Sequence, residues 1–263
     1  EHNITLFEAG KTVGGHTATI DVQSNGESYA IDTGFIVYND WTYPEFIRLL
    51  DNLGVETKPT AMSFSVSDSL SGVEYAGSSL KTLFAQKRNL VSPRFLRMTK
   101  DILRFNSQVE AHLAENQECA DMSLGDYLEH FNYSKVFADL YLVPMGAAIW
   151  STNTQMMLNF PLAFFVRFFR NHGLLNIRNR PQWRVIKGGS RNYIEPLTAA
   201  FKNNIELENP VTRVTRIIQS NGRPGVKVES RKFTDEYDEI IFACHSDQAL
   251  RMLEDKSEQE HEI

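Results

Sequence analysis

The stretch Leu6-Phe7-Glu8-Ala9-Gly10-Lys11-Thr12-Val13-Gly14-Gly15-His16-Thr17 joins a short run of β-formers to a carboxylate and then to a glycine pair. Residues 4–7 predict a strand buried on both faces, with Glu8 at its carboxyl end. In dinucleotide-binding folds, a carboxylate at the end of the second parallel strand accepts hydrogen bonds from ribose hydroxyls. Gly14 and Gly15 have no β-carbon, so their backbone can approach a pyrophosphate closely. An ordinary strand followed by a glycine turn would carry the same pattern, and this segment alone leaves both interpretations open.

A second motif, Asp32-Thr33-Gly34-Phe35, follows the glycine pair after two predicted strands at residues 17–22 and 28–32, which Asn25-Gly26 joins as a hairpin. Together, Glu-x5-Gly-Gly-x-Thr and Asp-x-Gly resemble the N-terminal signature of flavin-containing amine oxidases, protoporphyrinogen oxidases and phytoene desaturases. The longer pattern Gly-Gly-His-Thr…Asp-x-Gly-Phe-x-Val-Tyr-Asn resembles a bacterial branch of predicted NAD/FAD-binding, amine-oxidase-like proteins.

The resemblance implies an FAD-dependent oxidoreductase in which a substrate hydride passes to the flavin. It implies that Glu8 binds the ribose, that Gly14 and Gly15 lie along the pyrophosphate, and that Gly34 and Phe35 lie near the flavin ring. The complete set of expected cofactor-binding residues is Glu8, Ala9, Gly14, Gly15, His16, Thr17, Gly34, Phe35 and Val211. Many amine oxidases have arginine where this chain has His16, and a histidine is mostly neutral near pH 7. Neutralisation of the phosphates at this position is therefore in doubt.

Two later motifs match the return of the chain to the cofactor domain. Residues 186–191, Ile-Lys-Gly-Gly-Ser-Arg, resemble the Gly-Gly turn that opens a returning helix, although a plain helix start capped by Ser190 explains them as well. Asn209-Pro210-Val211 resembles the segment whose valine backbone binds adenine. Residues 239–243 predict a further buried strand. Cys244 after it could be a thiol nucleophile or a flavin tether, but without a paired base in the sequence we interpret it as a buried structural cysteine.

The order of the motifs predicts strands, a helical insert and strands again. We therefore expect an α/β fold in which an incomplete, Rossmann-like FAD-binding domain is interrupted by a mainly helical substrate domain. The expected boundaries are 1–58 and 184–263 for the two parts of the FAD-binding domain and 59–183 for the substrate domain. The Gly-x-Gly-x-x-Gly loop expected about 20 residues before Glu8, and the family's C-terminal flavin segment, are not recognisable. We therefore expect the 263-residue chain to hold FAD weakly and to be inactive alone. A degenerate relative that serves as a ligand-binding or interaction module is the alternative.

Net charge, cysteine content and the distribution of histidines limit the classes of partner, compartment and metal site that we expect. A net charge of −6 argues against nucleic acid as the main partner, and two distant cysteines argue for a reducing, cytoplasmic compartment. The scattered histidines predict no metal site. The sequence identifies no catalytic residue and no oligomeric state.

Two features suggest a hydrophobic or lipid-like substrate. Phenylalanines recur at helical spacing in residues 160–169, near Trp150 and Trp183, as they would in a helix core or in a substrate tunnel. Residues 81–105 combine seven cations and one acid with aliphatic side chains. That composition fits peripheral membrane contact or a solvated basic helix face.

Overall fold

The computed structural model describes residues 2–262 of the chain. Its strands are β1 Leu6–Phe7, β2 Thr19–Ser24, β3 Glu27–Asp32, β4 Tyr38–Asn39, β5 Thr57–Thr60, β6 Ser65–Asp68, β7 Val73–Ala76, β8 Trp183–Ile186, β9 Ile205–Glu206, β10 Val211–Ile218, β11 Pro224–Ser230 and β12 Thr234–Tyr237. Its α-helices are α1 Pro44–Asn52, α2 Leu80–Leu83, α3 Pro93–Glu115, α4 Gln117–Asp121, α5 Leu124–His130, α6 Lys135–Phe137, α7 Val143–Trp150, α8 Thr154–Leu158, α9 Leu162–Asn171, α10 Ile194–Thr198, α11 Ser246–Met252 and α12 Glu258–His261. Three 3-10 turns, Lys87–Val91, Ser190–Tyr193 and Ala199–Asn204, and a π turn, Ala138–Leu142, complete the elements.

The chain divides into two compact units. Unit 1 contains residues 1–36, 52–55 and 186–263. Within it β1 pairs in parallel with β9, the strands β10, β11 and β12 form an antiparallel sheet, and β2 and β3 form a hairpin. The hairpin turns at Asn25 and Gly26, whose φ angles are 53° and 81°. Positive φ at both turn residues is what a two-residue turn of this hand requires, so the predicted Asn-Gly hairpin is confirmed.

Unit 2 contains residues 37–51 and 56–185 and is mainly helical. Its interior is one cluster of buried side chains contributed by the helices from α3 to α9, including Phe105, Phe137 and Phe165. Two small sheets, β4-β8-β5 and β6-β7, accompany the helices. A capping box opens α5, because the Ser123 hydroxyl accepts from the Asp126 N–H at 3.1 Å and the Asp126 carboxylate accepts from the Ser123 N–H.

Some local predictions were wrong. Residues 239–243 form no strand, and Ile241 is 90 % exposed. A strand that is apolar on both faces needs neighbours, and the described residues place none beside it. Thr42 precedes α1, and a helix cap at Thr42 is a further expectation from the sequence that fails, because its hydroxyl donates to the carbonyl of Asn171. Among residues 2–262, no helix combines the length and the apolar character needed to cross a membrane.

Candidate functional site

The first motif lies at the end of the parallel strand pair of unit 1. The Glu8 N–H continues the pairing by donating to the Glu206 carbonyl at 2.9 Å. The Glu8 carboxylate is half-buried, and its Oε1 accepts from the N–H of Gly10 at 2.6 Å. This bond holds the carboxylate over its own turn and leaves the second carboxylate oxygen for another donor.

The Pro-Val segment lies beside Glu8, although some 200 residues separate the two in the chain. The Asn209 N–H donates to the Glu8 carbonyl at 3.0 Å, and the Glu208 N–H donates to the Gly10 carbonyl at 2.9 Å. Asn209 is fully buried, and its side-chain oxygen accepts from the Lys232 N–H at 3.0 Å. Val211 therefore begins β10 close to the end of β1, so the structure brings together the first and fourth motifs.

The glycine pair forms a tight loop after Val13. Gly14 and Gly15 have φ angles of 122° and 54°, a region that glycine enters without strain. A β-carbon on Gly14 would lie 2.9 Å from the carbonyl oxygen of Thr17, whereas a β-carbon on Gly15 would meet no atom within 4 Å. The loop is thus packed on its Gly14 side and open at Gly15, where an approaching ligand would meet bare backbone.

Gly34 packs against this loop. The Phe35 N–H donates to the His16 carbonyl at 2.7 Å, and a β-carbon on Gly34 would lie 2.2 Å from that same oxygen. Because no side chain fits there, glycine at position 34 is a requirement of the close approach. His16 is exposed, whereas Thr17 and Phe35 are half-buried.

Asp32 ties the hairpin to the Gly-Gly-Ser motif, a role that the sequence did not reveal. Its Oδ1 accepts from the Thr19 hydroxyl at 2.6 Å and from the N–H and hydroxyl of Ser190 at 2.9 and 2.8 Å. Ser190 is 1 % exposed and is committed to Asp32, so the interpretation of Ser190 as a helix cap was wrong. Gly189 occupies the cap position with a φ of 100°.

A groove of about 540 Å³ lies between the first and third motifs within unit 1. Its lining residues are Val13, Thr17, Arg191, Asn192, Ile194, Glu195 and Thr198. Arg191 is held there by a two-fold bond to Asp21 at 2.7 and 2.8 Å. Hydrogen bonding from Arg191 keeps the pKa of the Asp21 carboxyl below its usual value. The Thr17 and Tyr193 hydroxyls are also hydrogen-bonded to each other.

Several other candidates lie outside this arrangement. Cys244 is exposed, so the expectation of a buried structural cysteine there was wrong, and Cys119 is the buried one. Among the described residues, no cluster of His, Cys, Asp and Glu could hold a metal ion. In unit 2, Phe165 and Phe169 of the aromatic stripe are buried, which identifies that side of α9 as core.

Comparison with known proteins gives one family and one fold. The model of the family described as flavin containing amine oxidoreductase matches residues 1–261. No curated protein matched in a sequence search.

Three solved structures illustrate the shared fold. Putrescine oxidase bound to putrescine has a TM-score of 0.65 at 19 % identity, and the match covers 98 % of this chain and 56 % of that one. Cyclohexylamine oxidase from Brevibacterium oxydans IH-35A has a TM-score of 0.66 at 18 % identity, with coverage of 97 % and 55 %. A CLA-producing fatty acid isomerase from P. acnes has a TM-score of 0.59 at 15 % identity, with coverage of 98 % and 56 %. The chain therefore spans little more than half the length of these structural neighbours.

Proposed function

The chain belongs to the flavin-containing amine oxidoreductase family, and from that premise we propose that it forms part of an FAD-dependent oxidoreductase that oxidises a hydrophobic substrate. FAD is the cofactor that family membership assigns. The mixed helix and strand composition agrees with an α/β FAD-binding fold. We further propose that the Rossmann-like FAD-binding domain comprises residues 1–58 and 184–263 and that the helical domain between them serves the substrate.

One observation carries the proposal for the cofactor site. Segments far apart in the chain meet at Glu8, because the Asn209 N–H donates to the Glu8 carbonyl at 3.0 Å just before Val211. A ribose-binding carboxylate and an adenine-binding backbone need to be neighbours, since the two parts of adenosine are neighbours. This proximity supports the assignment of Glu8 to the ribose and of Val211 to adenine.

The glycine loop fits the pyrophosphate in the same way. Gly15 offers an open backbone, and the neighbouring Thr17 carries a hydroxyl that can donate to an anion. Ala9 and His16 are exposed beside Glu8 and the glycine pair, respectively. We assign all four residues to the cofactor site, and we assign Gly34 and Phe35, which contact His16, to the side of the flavin ring, as the family resemblance implies.

The chemistry belongs to the cofactor, and this chain supplies binding and orientation. When bound, FAD would accept a hydride from a substrate C–H bond and pass the electrons to oxygen or another acceptor. The Glu8 carboxylate would accept bonds from ribose hydroxyls, and the Gly14-Gly15 backbone would lie along the diphosphate. No residue of the chain is assigned to proton transfer.

We propose a hydrophobic or lipid-like substrate, because unit 2 carries a partly exposed group of aromatic side chains. Trp150 packs against Phe160 and Phe168 at ring-centre distances of 4.7 and 4.8 Å, and Phe164 beside them is 53 % exposed. The neighbours named above include two amine oxidases and a fatty acid isomerase, so the shared fold serves both polar and lipid-like ligands. The partly exposed aromatic group is therefore the feature that favours an apolar ligand here.

The cofactor assignment is tested by replacing Glu8 with alanine in the whole protein. We expect FAD binding to weaken by about 1–3 kcal/mol, the scale of lost hydrogen bonds to a charged group. Calorimetric or fluorescence titration with FAD measures the change. Glu236→Ala serves as the control, because Glu236 is an exposed carboxylate on β12 with no side-chain partner among the described residues.

Equal FAD affinity for the wild type and Glu8→Ala would contradict the ribose assignment. A protein that binds FAD but turns over neither amines nor apolar substrates would support the alternative, a non-catalytic binding module.

A further inference from the structure

A mixed basic and aliphatic surface lies at the start of the longest helix of unit 2. We call it the α3 face and define it by the exposed residues Lys87, Leu90, Val91, Arg94, Leu96, Lys100 and Leu103. Its four aliphatic side chains are 53, 80, 44 and 49 % exposed at Leu90, Val91, Leu96 and Leu103. Four large aliphatic side chains exposed within 14 residues exceed the scattered exposed apolar residues of an ordinary surface.

Helix geometry places Leu96, Lys100 and Leu103 on one side of α3, and Lys87, Leu90 and Val91 lie in the 3-10 turn just before the helix. Leu96, Lys100 and Leu103 follow one another at i, i+4 and i+7, the spacing of a single helix face. Ser92 caps the helix, since its hydroxyl accepts from the Phe95 N–H at 3.3 Å. Val91 precedes that cap and Leu96 is the fourth helical residue, and these two positions are adjacent at a helix start.

The opposite side of α3 is committed to the core of unit 2. Phe95, Met98, Phe105 and Val109 are each no more than 2 % exposed. The α3 face therefore cannot turn inward without removing those side chains from the core. Within the described chain it stays exposed to solvent.

The sequence around the α3 face carries almost only positive charge. Residues 75–109 contain seven lysines and arginines and a single acid, Asp101, in a chain whose net charge is −6. Asp101 is 1 % exposed and accepts from the Ser134 N–H at 3.0 Å and from Arg97 Nε at 3.2 Å. Burial raises the pKa of the Asp101 carboxyl, but the bonds from Ser134 and Arg97 outweigh burial and leave that pKa below its usual value. The one carboxylate thus stays ionised inside the unit, where it offsets Arg97 and Arg104.

The cations of the α3 face are not neutralised in this way. Lys87, Arg94 and Lys100 form no salt bridge within 4 Å with any described residue, although Arg94 is close enough to Asp68 to add to the Ser71 hydrogen bonds that lower the pKa of that carboxyl. They flank the exposed aliphatic side chains, so a partner would meet positive charge and apolar surface together. Nucleic acid would supply negative charge but no apolar surface against which four aliphatic side chains could pack. A bilayer with anionic headgroups offers charge and, just beneath it, hydrocarbon.

We propose that the α3 face docks the protein on anionic lipid bilayers, with Lys87, Arg94 and Lys100 at the headgroups and the four aliphatic side chains inserted below them. The net negative charge of the chain opposes any general attraction to such a surface, so binding is local to this face. The proposal concerns unit 2 alone and holds or fails independently of FAD binding.

The test is vesicle co-sedimentation of the whole protein with phosphatidylcholine vesicles, with and without phosphatidylserine. The triple variant Lys87→Glu/Arg94→Glu/Lys100→Glu is compared with the wild type and with a matched control, Lys58→Glu/Lys202→Glu/Arg223→Glu, which reverses three exposed cations elsewhere. We expect the wild type and the control to bind phosphatidylserine vesicles equally. The α3-face triple variant should bind at least about tenfold more weakly, because each basic side chain near an anionic surface adds to affinity.

A second variant separates lipid from other acidic partners. Leu96→Ser/Leu103→Ser keeps every charge, so it should lose vesicle binding while any binding to duplex DNA stays unchanged. If the charge-reversed protein proves misfolded by circular dichroism, Lys100→Glu alone with a salt titration of the wild type replaces it. Two results would overturn the proposal. The wild type could bind vesicles equally well with and without phosphatidylserine, or both the charge-reversed and the leucine variants could bind as tightly as the wild type. Binding to duplex DNA in preference to vesicles would overturn it as well.

Discussion

At the residue scale, the candidate cofactor site depends on a few long-range hydrogen bonds that the sequence motifs did not predict. Asp32 belongs to the Asp-x-Gly pattern, and its carboxylate accepts hydrogen bonds from Thr19 and Ser190. Sequence patterns identify which residue types are present, whereas long-range hydrogen bonds depend on how segments more than 150 residues apart meet. The Glu8 and glycine-pair predictions needed only local geometry, while the partners of Asp32 and Asn209 needed the folded chain.

We expect Asp32→Ala to destabilise the protein by about 1–3 kcal/mol, because it leaves the buried donors of Ser190 unpaired. Urea denaturation measures the free energy of unfolding. Asp32→Asn keeps an acceptor oxygen and should lose less. Asp51→Ala is the control, since Asp51 is an exposed acid on α1 with no partner among the described residues. Equal stability of Asp32→Ala and the wild type would show that the hydrogen bonds to Asp32 do not contribute to the free energy of unfolding.

We expect Gly34→Ala to lower both stability and FAD affinity, because the new β-carbon would lie 2.2 Å from the His16 carbonyl oxygen and must displace the glycine loop. Overpacking of this kind costs about 1–3 kcal/mol in stability. Gly77→Ala is the matched control, since its β-carbon would meet the Phe64 carbonyl at an ordinary 3.8 Å. Thermal unfolding with and without FAD reports both effects, and a Gly34→Ala protein indistinguishable from Gly77→Ala would contradict the close approach.

At the element scale, elements with local signals were predicted well and those that need partners were not. The predicted hairpin turn at Asn25-Gly26 is present, and strand β10 and the Ser123 capping box are of the same kind. Each of these has a signal within a few residues. The strand predicted at 239–243 is missing because an apolar run predicts burial without saying which neighbours will provide it.

An ion pair between Glu260 and Arg216 connects the short helix α12 to strand β10. The backbone N–H of Ser257, then Arg216 of β10 and the Ser257 hydroxyl, bind the Glu260 carboxylate and lower its pKa to about 2. A carboxyl whose pKa is depressed on folding adds stability above its unfolded pKa of 4.5 and loses that contribution as the pH falls toward 2. Glu260→Gln should therefore be less stable than the wild type at pH 7, and the difference should shrink steadily as the pH falls from 4.5 toward 2.

Hydrogen exchange of residues 257–262 between pH 7 and pH 2.5 measures this contribution. Glu262→Gln is the control at the exposed end of the same helix. A Glu260→Gln difference that persists unchanged at low pH would show that the charged form is not what stabilises α12.

At the scale of the whole molecule, the two units differ in how much apolar surface they bury. Ile186, Val214 and Val228 are the buried hydrophobic residues of unit 1 among those described, and all the others belong to unit 2. The hairpin of unit 1 leaves Ile20, Val22, Tyr29 and Ile31 half exposed. Burial of apolar surface is the main stabilising term in folding, so the units should differ in local stability.

We expect backbone amides in the middle of α3 and α9, near Phe105 and Phe165, to exchange hydrogen much more slowly than those of β2 and β3. Exchange measured by mass spectrometry on the intact protein provides the comparison. Similar protection in both regions would contradict the uneven distribution of the core.

We propose that this chain contributes the ribose, pyrophosphate and adenine contacts of an FAD-dependent oxidoreductase. The most direct test is the flavin content of the whole protein, purified and then dialysed against excess FAD, for the wild type beside Glu8→Ala. We predict that the full-length protein that contains this chain is yellow with one FAD per chain, unlike the 263-residue chain alone, and that its Glu8→Ala variant loses FAD on dilution. A wild-type protein that takes up no flavin at saturating FAD, or a Glu8→Ala protein that retains FAD as tightly as the wild type, would show that these residues do not bind the cofactor.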